Sequence, residues 1–156
     1  MLINLVPEFL ATLSSDNPRS AYQKYLEAHS PILSAYWRNY VLDLESPHAE
    51  QVIDTALHAD RLDLLALRDE VDLVRLTEEA VRRTEEVLQP DRPMDVVLMV
   101  GVGAANAGEL VVDGRAIAFI CVEHFTGRIN PSTYGMGLAP GLIPHSTITF
   151  TFQARI

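Results

Sequence analysis

The sequence predicts an α+β domain in which a helical N-terminal half packs against a small mixed β-sheet. A change of pattern near residue 90 predicts this class: apolar residues recur at helical spacing over residues 1–89, whereas residues 94–156 carry the apolar runs and alternating segments typical of strands. A Pro-rich stretch separates the two parts. The length of 156 residues suits one ordinary domain, so we expect residues 1–156 to form a single unit.

Five helical regions are expected in the first part. The first lies within residues 1–13, where apolar residues recur three and four positions apart: Leu2, Leu5, Val6, Phe9, Leu10 and Leu13. The second covers about residues 19–29. Ser-Pro pairs at 30–31 and 46–47 each predict a helix start, because serine caps a helix and proline suits its first turn. The helical pattern returns at residues 60–88.

The second part predicts a buried strand followed by a hairpin. Residues 96–100 are continuously apolar, which is typical of a strand covered on both faces. Residues 109–112 and 115–122 are two further strands. Asp113-Gly114 joins them, and this dipeptide favours a two-residue hairpin because both positions tolerate a positive φ. Glycines and prolines then predict a loop over residues 126–144.

Composition and charge exclude some classes of binding partner and predict the cellular compartment. The formal net charge of −9 opposes binding to nucleic acid and to anionic membranes, so neither is expected as a partner. The single cysteine, Cys121, excludes an intrachain disulfide. The N-terminus does not resemble a signal peptide, and no apolar run is long enough to span a membrane. These features predict a cytoplasmic protein.

The motifs that carry chemistry are few. Glycines at 101–108 resemble a dinucleotide-binding loop, but Asn106 stands where the third glycine belongs, and a hairpin rather than a helix follows. Glu123, His124 and His145 lie near the predicted loop and are the candidate metal ligands, because zinc is bound by carboxylate and imidazole groups. No residue is assigned a catalytic role.

A series of glycine turns and strand patterns runs through residues 94–144. Its parts are the run from Met94 to Gly103, then Asn106-Ala107-Gly108, Val112-Asp113-Gly114-Arg115, Glu123, Gly135-Met136-Gly137-Leu138 and Gly141-Leu142-Ile143-Pro144. These segments resemble a bacterial family of predicted zinc-dependent proteases. The resemblance implies a zincin-like N-terminal part. In that family the stretch after the equivalent of Leu142-Ile143-Pro144 opens a helix with a His-Glu-x-x-His motif, whose two histidines bind zinc.

This sequence departs from the family at that point. Residues 145–156 contain neither a helical pattern nor the motif. The resemblance therefore implies a zinc-metalloprotease-like domain that lacks its catalytic part through truncation, a frame change or natural loss, and that is catalytically incomplete. Zinc is expected as a cofactor only if the missing helix exists in the full protein. Whether the chain is an enzyme stays open.

The resemblance also implies a partner. In such folds the hairpin before the catalytic helix offers an edge strand to an extended peptide, which pairs through main-chain hydrogen bonds. Here that hairpin is residues 109–122, and the substrate-edge strand consists of Glu109, Leu110, Val111 and Val112. A peptide or protein substrate is the expected partner.

Two alternatives remain open at the level of sequence. Residues 147–154 alternate between apolar and polar side chains, which predicts a strand that could pair with its copy and form a homodimer. The chain could instead be a small-ligand binding protein that uses the glycine-rich segments at 101–108 and 127–144.

Overall fold

A computed structural model describes residues 1–126 of the chain. It confirms the α+β class: helices pack against a mixed sheet. In chain order the elements are β1 (Leu2–Asn4), α1 (Val6–Leu13), α2 (Pro18–Ala28), α3 (Ser30–Tyr36), α4 (Ala49–His58), α5 (Leu62–Glu70), α6 (Leu73–Leu88), β2 (Asp95–Met99), β3 (Ala107–Val112) and β4 (Arg115–Cys121). A π-helical segment (Trp37–Val41) continues α3, and a 3-10 turn (Val122–His124) follows β4. The predicted tail strand at 147–154 lies outside the described residues.

The sheet has the strand order β1-β2-β4-β3. β1, β2 and β4 run parallel, and β3 runs antiparallel to β4. Every residue of β2 is buried, as the continuous apolar run predicts for a central strand with both faces covered. The hairpin turn is confirmed at Asp113 and Gly114, whose φ angles are 50° and 73°. Because β1, β2 and β4 are parallel, their carboxyl ends lie together at the same end of the sheet.

The helix expected within residues 1–13 is wrong at its start. Leu2–Asn4 form a strand, and the helix begins only at Val6. Hydrogen bonds to β2 hold this strand: the Val96 amide donates to the Met1 carbonyl at 2.8 Å, and the Met1 ammonium group donates to the side-chain oxygen Oδ1 of Asp95 at 2.9 Å. Pairing with a strand more than 90 residues away thus overrides the local apolar spacing.

The remaining helices lie within the predicted regions, with two corrections. α4 begins at Ala49 rather than at the Ser46-Pro47 pair, and the N-cap residues of α3 and α4 are His29 and His48 rather than the serines. The single helical region expected at residues 60–88 divides into α5 and α6 because the chain becomes extended at Val71. Asp72 then starts a new helix, since its Oδ1 accepts a hydrogen bond from the Arg75 amide at 3.0 Å. No helix within residues 1–126 is both long and apolar enough to cross a membrane.

An aromatic core joins the helices to the sheet. Phe9 of α1 makes edge-to-face contacts with Tyr22 and Tyr25 of α2, and the Tyr36 ring of α3 meets Phe119 of β4 at 5.3 Å between centroids. Such edge-to-face pairs stabilise a core beyond their burial by about 1 kcal/mol each. The core thereby fixes α2 and α3 over the carboxyl end of β4, where polar side chains gather.

Candidate functional site

A buried carboxyl group marks the carboxyl ends of β2 and β4. Glu123 lies in the 3-10 turn after β4 and is only 4% exposed. β2 leads into the turn at residues 101–103, and because β2 and β4 are parallel neighbours, this turn lies beside Glu123. In α/β folds, ligands bind at this end of the strands. This position makes Glu123 the first candidate for a functional group.

Three side chains converge beneath Gly101. A Cβ atom at Gly101 would lie 2.6 Å from Tyr36 Oη, 2.8 Å from Cys121 Sγ and 3.0 Å from Glu123 Oε1. Only glycine leaves room for all three side chains, so Gly101 allows them to pack closely against the backbone. Cys121 at the end of β4 and Glu123 in the following 3-10 turn thus approach the same point.

Burial dominates the electrostatics of Glu123. It raises the pKa of the carboxyl group to about 7, although the amides of Gly101 and Gly103 and the charge of Arg61 favour the ionised form. Neither carboxyl oxygen has a hydrogen bond of normal geometry to another described residue. Near neutral pH this group is therefore divided between a carboxylate, which accepts protons, and a carboxylic acid, which donates them.

Arg61 supplies a buried cation in the same region. Its side chain is held by a hydrogen bond from Nη2 to the Ala56 carbonyl at 3.0 Å, and its guanidinium lies 5.7 Å from the centre of the Phe9 ring. Burial lowers the Arg61 pKa, whereas the charge of Glu123 raises it. Arg61 Nε has no hydrogen-bond partner in the described part of the chain. The cation thus acts on Glu123 through the electric field rather than through a hydrogen bond.

The surrounding hydroxyl and thiol groups stay protonated. Burial raises the pKa of Tyr22 to about 12 and also raises the pKa values of Tyr25, Tyr36 and the Cys121 thiol. A thiol with a raised pKa is a poor nucleophile, because the thiolate is the reactive form. Glu123 is consequently the group of this cluster suited to proton exchange at neutral pH.

The candidate metal ligands come together only in part. The 3-10 turn brings His124 Nε2 within 3.7 Å of Glu123 Oε1, whereas neighbouring residues of a strand point to opposite faces. Burial and the charge of Arg61 lower the His124 pKa. His145 lies outside the described residues. Within residues 1–126, no group of three His, Cys, Asp or Glu side chains could hold a metal ion, so these residues do not by themselves fit a zinc site.

The predicted substrate-edge residues lie on β3, which is one of the two edge strands of the described sheet. Leu110 is buried in the core, Glu109 and Val111 are exposed, and Val112 is partly buried. The Cys121 amide donates to the Asn106 carbonyl at 2.8 Å, which fixes the hydrogen-bonding phase of the hairpin. Because bonded pairs alternate along an antiparallel ladder, the N–H and C=O groups of Glu109 and Val111 point away from β4.

Tyr40 is a site residue that the sequence pattern did not single out. Its hydroxyl donates to the Glu109 carbonyl at 2.9 Å and accepts from the Glu109 amide at 3.2 Å. It reaches the edge across Gly108, where a Cβ atom would lie 2.6 Å from Tyr40 Oη. The spacing of Tyr36 and Tyr40 indicates a shared helical face but not a hydrogen bond to a strand 69 residues later.

A surface cleft of about 520 Å³ lies elsewhere. It is bordered by Asn4, Pro7 and the α5–α6 connection, with Arg68 and Asp72 on its wall. None of the residues of the Glu123 cluster or of β3 lines this cleft. Its ionic groups are exposed, so it adds no chemistry to the two features described above.

Comparison of the chain with protein-family models, curated proteins and solved structures finds no match.

Proposed function

We propose that this chain is a zinc-metalloprotease-like domain whose strand β3 binds an extended peptide by strand addition. The observation that carries the proposal is the outward direction of the Val111 amide and carbonyl groups, which have no partner among the described residues. An unpaired edge of this kind is a template for another extended chain. The family resemblance of residues 94–144 supports the same role.

The proposal concerns binding first and cleavage second. Pairing along β3 needs only main-chain groups, which the described residues supply. Hydrolysis by a zincin would in addition need at least three zinc ligands, and the described residues bring together only Glu123 and His124. The mechanism we assign to the described residues is therefore the alignment of an extended peptide along β3.

Side chains along the edge favour a particular class of peptide. Val111 is 62% exposed and offers an apolar contact, and the exposed Glu109 carboxylate attracts a cationic side chain. The net charge of −9 slows the approach of acidic peptides and speeds that of basic ones. We therefore propose an extended, basic segment with β-branched residues as the ligand.

Small-ligand binding receives less support from the geometry. The space beside Gly101 is filled by Tyr36, Cys121 and Glu123. The second glycine-rich segment, residues 127–144, lies outside the described residues, as does the strand expected to form a homodimer. We therefore favour the peptide ligand over small-ligand binding, and the homodimer stays a prediction.

A proline at Val111 tests the edge directly. Val111→Pro removes an outward N–H group, and proline is tolerated at such a position of an edge strand because no bond to β4 is lost. We expect a fluorescein-labelled peptide of alternating lysine and threonine with two central valines to bind the unchanged protein, and binding to Val111→Pro to be about tenfold weaker. Fluorescence anisotropy measures the affinity.

Val111→Thr is the matched control, because it keeps the amide group and the β-branched shape. Its affinity should equal that of the unchanged protein, and thermal melts should show that both variants are folded. Equal affinity of Val111→Pro and Val111→Thr would overturn pairing along β3.

A further inference from the structure

We propose that the Tyr40 hydroxyl takes the place of a peptide main-chain group at the edge of β3, and that a bound peptide displaces it. The inference rests on the proposed function and adds a determinant of affinity to the same site. One oxygen atom acts as both donor and acceptor toward Glu109, at 2.9 Å and 3.2 Å. A paired strand would satisfy the same two groups with one amide and one carbonyl.

The register shows how much of the edge Tyr40 occupies. Ala107, Glu109 and Val111 are the residues of β3 whose main-chain groups point away from β4. The Ala107 amide is already bonded to Asn106 Oδ1 at 2.8 Å. With both groups of Glu109 bonded to Tyr40, only Val111 offers a complete pair of groups. A peptide that displaces Tyr40 bonds to the amide and carbonyl of Glu109 as well as to those of Val111. The number of β3 residues whose two main-chain groups both bond to the peptide therefore rises from one to two.

The surroundings of Tyr40 are built to hold the hydroxyl at the edge. The Tyr40 ring stacks on Tyr36 at 6.0 Å and meets the Phe119 ring edge-on at 4.8 Å. Gly108 provides the gap through which the hydroxyl passes, since a Cβ atom there would lie 2.6 Å from it. These contacts hold the ring above the sheet and direct its oxygen to Glu109.

The backbone that carries Tyr40 is suited to a change of position. Tyr40 lies in the π-helical segment Trp37–Val41, at the end of the helix, and the chain is extended at Leu42, where φ is −169°. π-Helical turns are rare and occur frequently at functional sites. Movement of the last helical residues would withdraw the hydroxyl without disturbing the buried Trp37 at the start of the segment.

Removal of the hydroxyl should strengthen peptide binding. In Tyr40→Phe the peptide no longer has to replace two hydrogen bonds, so the lysine–threonine peptide should bind about tenfold more tightly than to the unchanged protein. Thr84→Val is the control, because it removes a hydroxyl of α6 that is bonded to the Ala80 carbonyl and belongs to neither β3 nor the Glu123 cluster. Its affinity should be unchanged.

The outcomes separate this inference from the proposed function. If the unchanged protein binds in a manner sensitive to Val111→Pro, but Tyr40→Phe binds equally or more weakly, displacement of Tyr40 is overturned and edge pairing stands. If neither the unchanged protein nor Tyr40→Phe binds the lysine–threonine peptide, both proposals fail.

A second measurement uses the unchanged protein and does not depend on the folding of a variant. Titration with the peptide should shift the NMR signals of the Tyr40 ring and the Glu109 amide together with that of the Val111 amide. Peptide binding that shifts Val111 and leaves Tyr40 and Glu109 unaffected would overturn the inference.

Discussion

Glu123→Gln is expected to stabilise the protein above pH 7 and to have little effect below pH 4.5. The pKa of Glu123 rises from its ordinary value of 4.5 to about 7 in the folded state, so the folded protein holds this proton more tightly than the unfolded chain does. This contribution to stability is complete below pH 4.5 and is lost as the pH rises to about 7. The shift corresponds to about 3 kcal/mol of unfolding free energy.

Urea unfolding at pH 4.5, 6 and 8 checks this expectation. The difference in unfolding free energy between Glu123→Gln and the unchanged protein should grow with pH and reach its full value at pH 8. Glu78→Gln removes an exposed carboxyl group of α6 and is the control for the change in net charge. Parallel pH profiles for Glu123→Gln and the unchanged protein would contradict the assignment of a buried, protonated carboxyl group.

This stability cost has a bearing on function. A carboxyl group that destabilises the fold at neutral pH, with no described hydrogen-bond partner, sits beside the turn that ends β2. Groups with such raised pKa values are enriched at functional sites because proton transfer is efficient when the pKa lies near the working pH. Glu123 is therefore the residue to follow if hydrolysis of a peptide on β3 is assayed.

Local signals were enough to predict the sheet part. Asp113-Gly114 predicts the hairpin because each residue tolerates the positive φ that the structure contains. The apolar run at residues 96–100 predicts a strand covered on both faces, and β2 is buried throughout. Leu2–Asn4 could not be predicted in this way, since a three-residue strand carries too little periodicity and depends on β2 for its pairing.

The site could be predicted only where it follows a strand. Cys121 ends β4 and Glu123 follows it by two residues, a spacing that is visible in the sequence, although Glu123 reaches Gly101 from the 3-10 turn. Arg61 and Tyr40 reach the site from α5's N-terminal cap and from the π-helical segment. Their positions depend on how the helices pack on the sheet, and this packing cannot be predicted from the spacing of residues along the chain.

Gly101→Ala tests whether the three side chains below the turn are packed as tightly as the structure indicates. A methyl group at this position meets Tyr36 Oη at 2.6 Å, so we expect the variant to lose about 1–3 kcal/mol of unfolding free energy. Tyr36→Phe removes the oxygen nearest to the new methyl group. The double variant should therefore be more stable than the sum of the two single changes predicts, by about 0.5 kcal/mol or more.

Urea unfolding of the two single variants and the double variant gives the coupling energy. It should be read at pH 4.5 as well as at pH 8, because Glu123 Oε1 lies 3.0 Å from the same point and is protonated only at the lower pH. Strict additivity at both values would mean that the turn at residues 101–103 moves away to admit the methyl group. In that case Gly101 would not be the residue that allows Tyr36, Cys121 and Glu123 to meet, and the cluster would be looser than the buried carboxyl group requires.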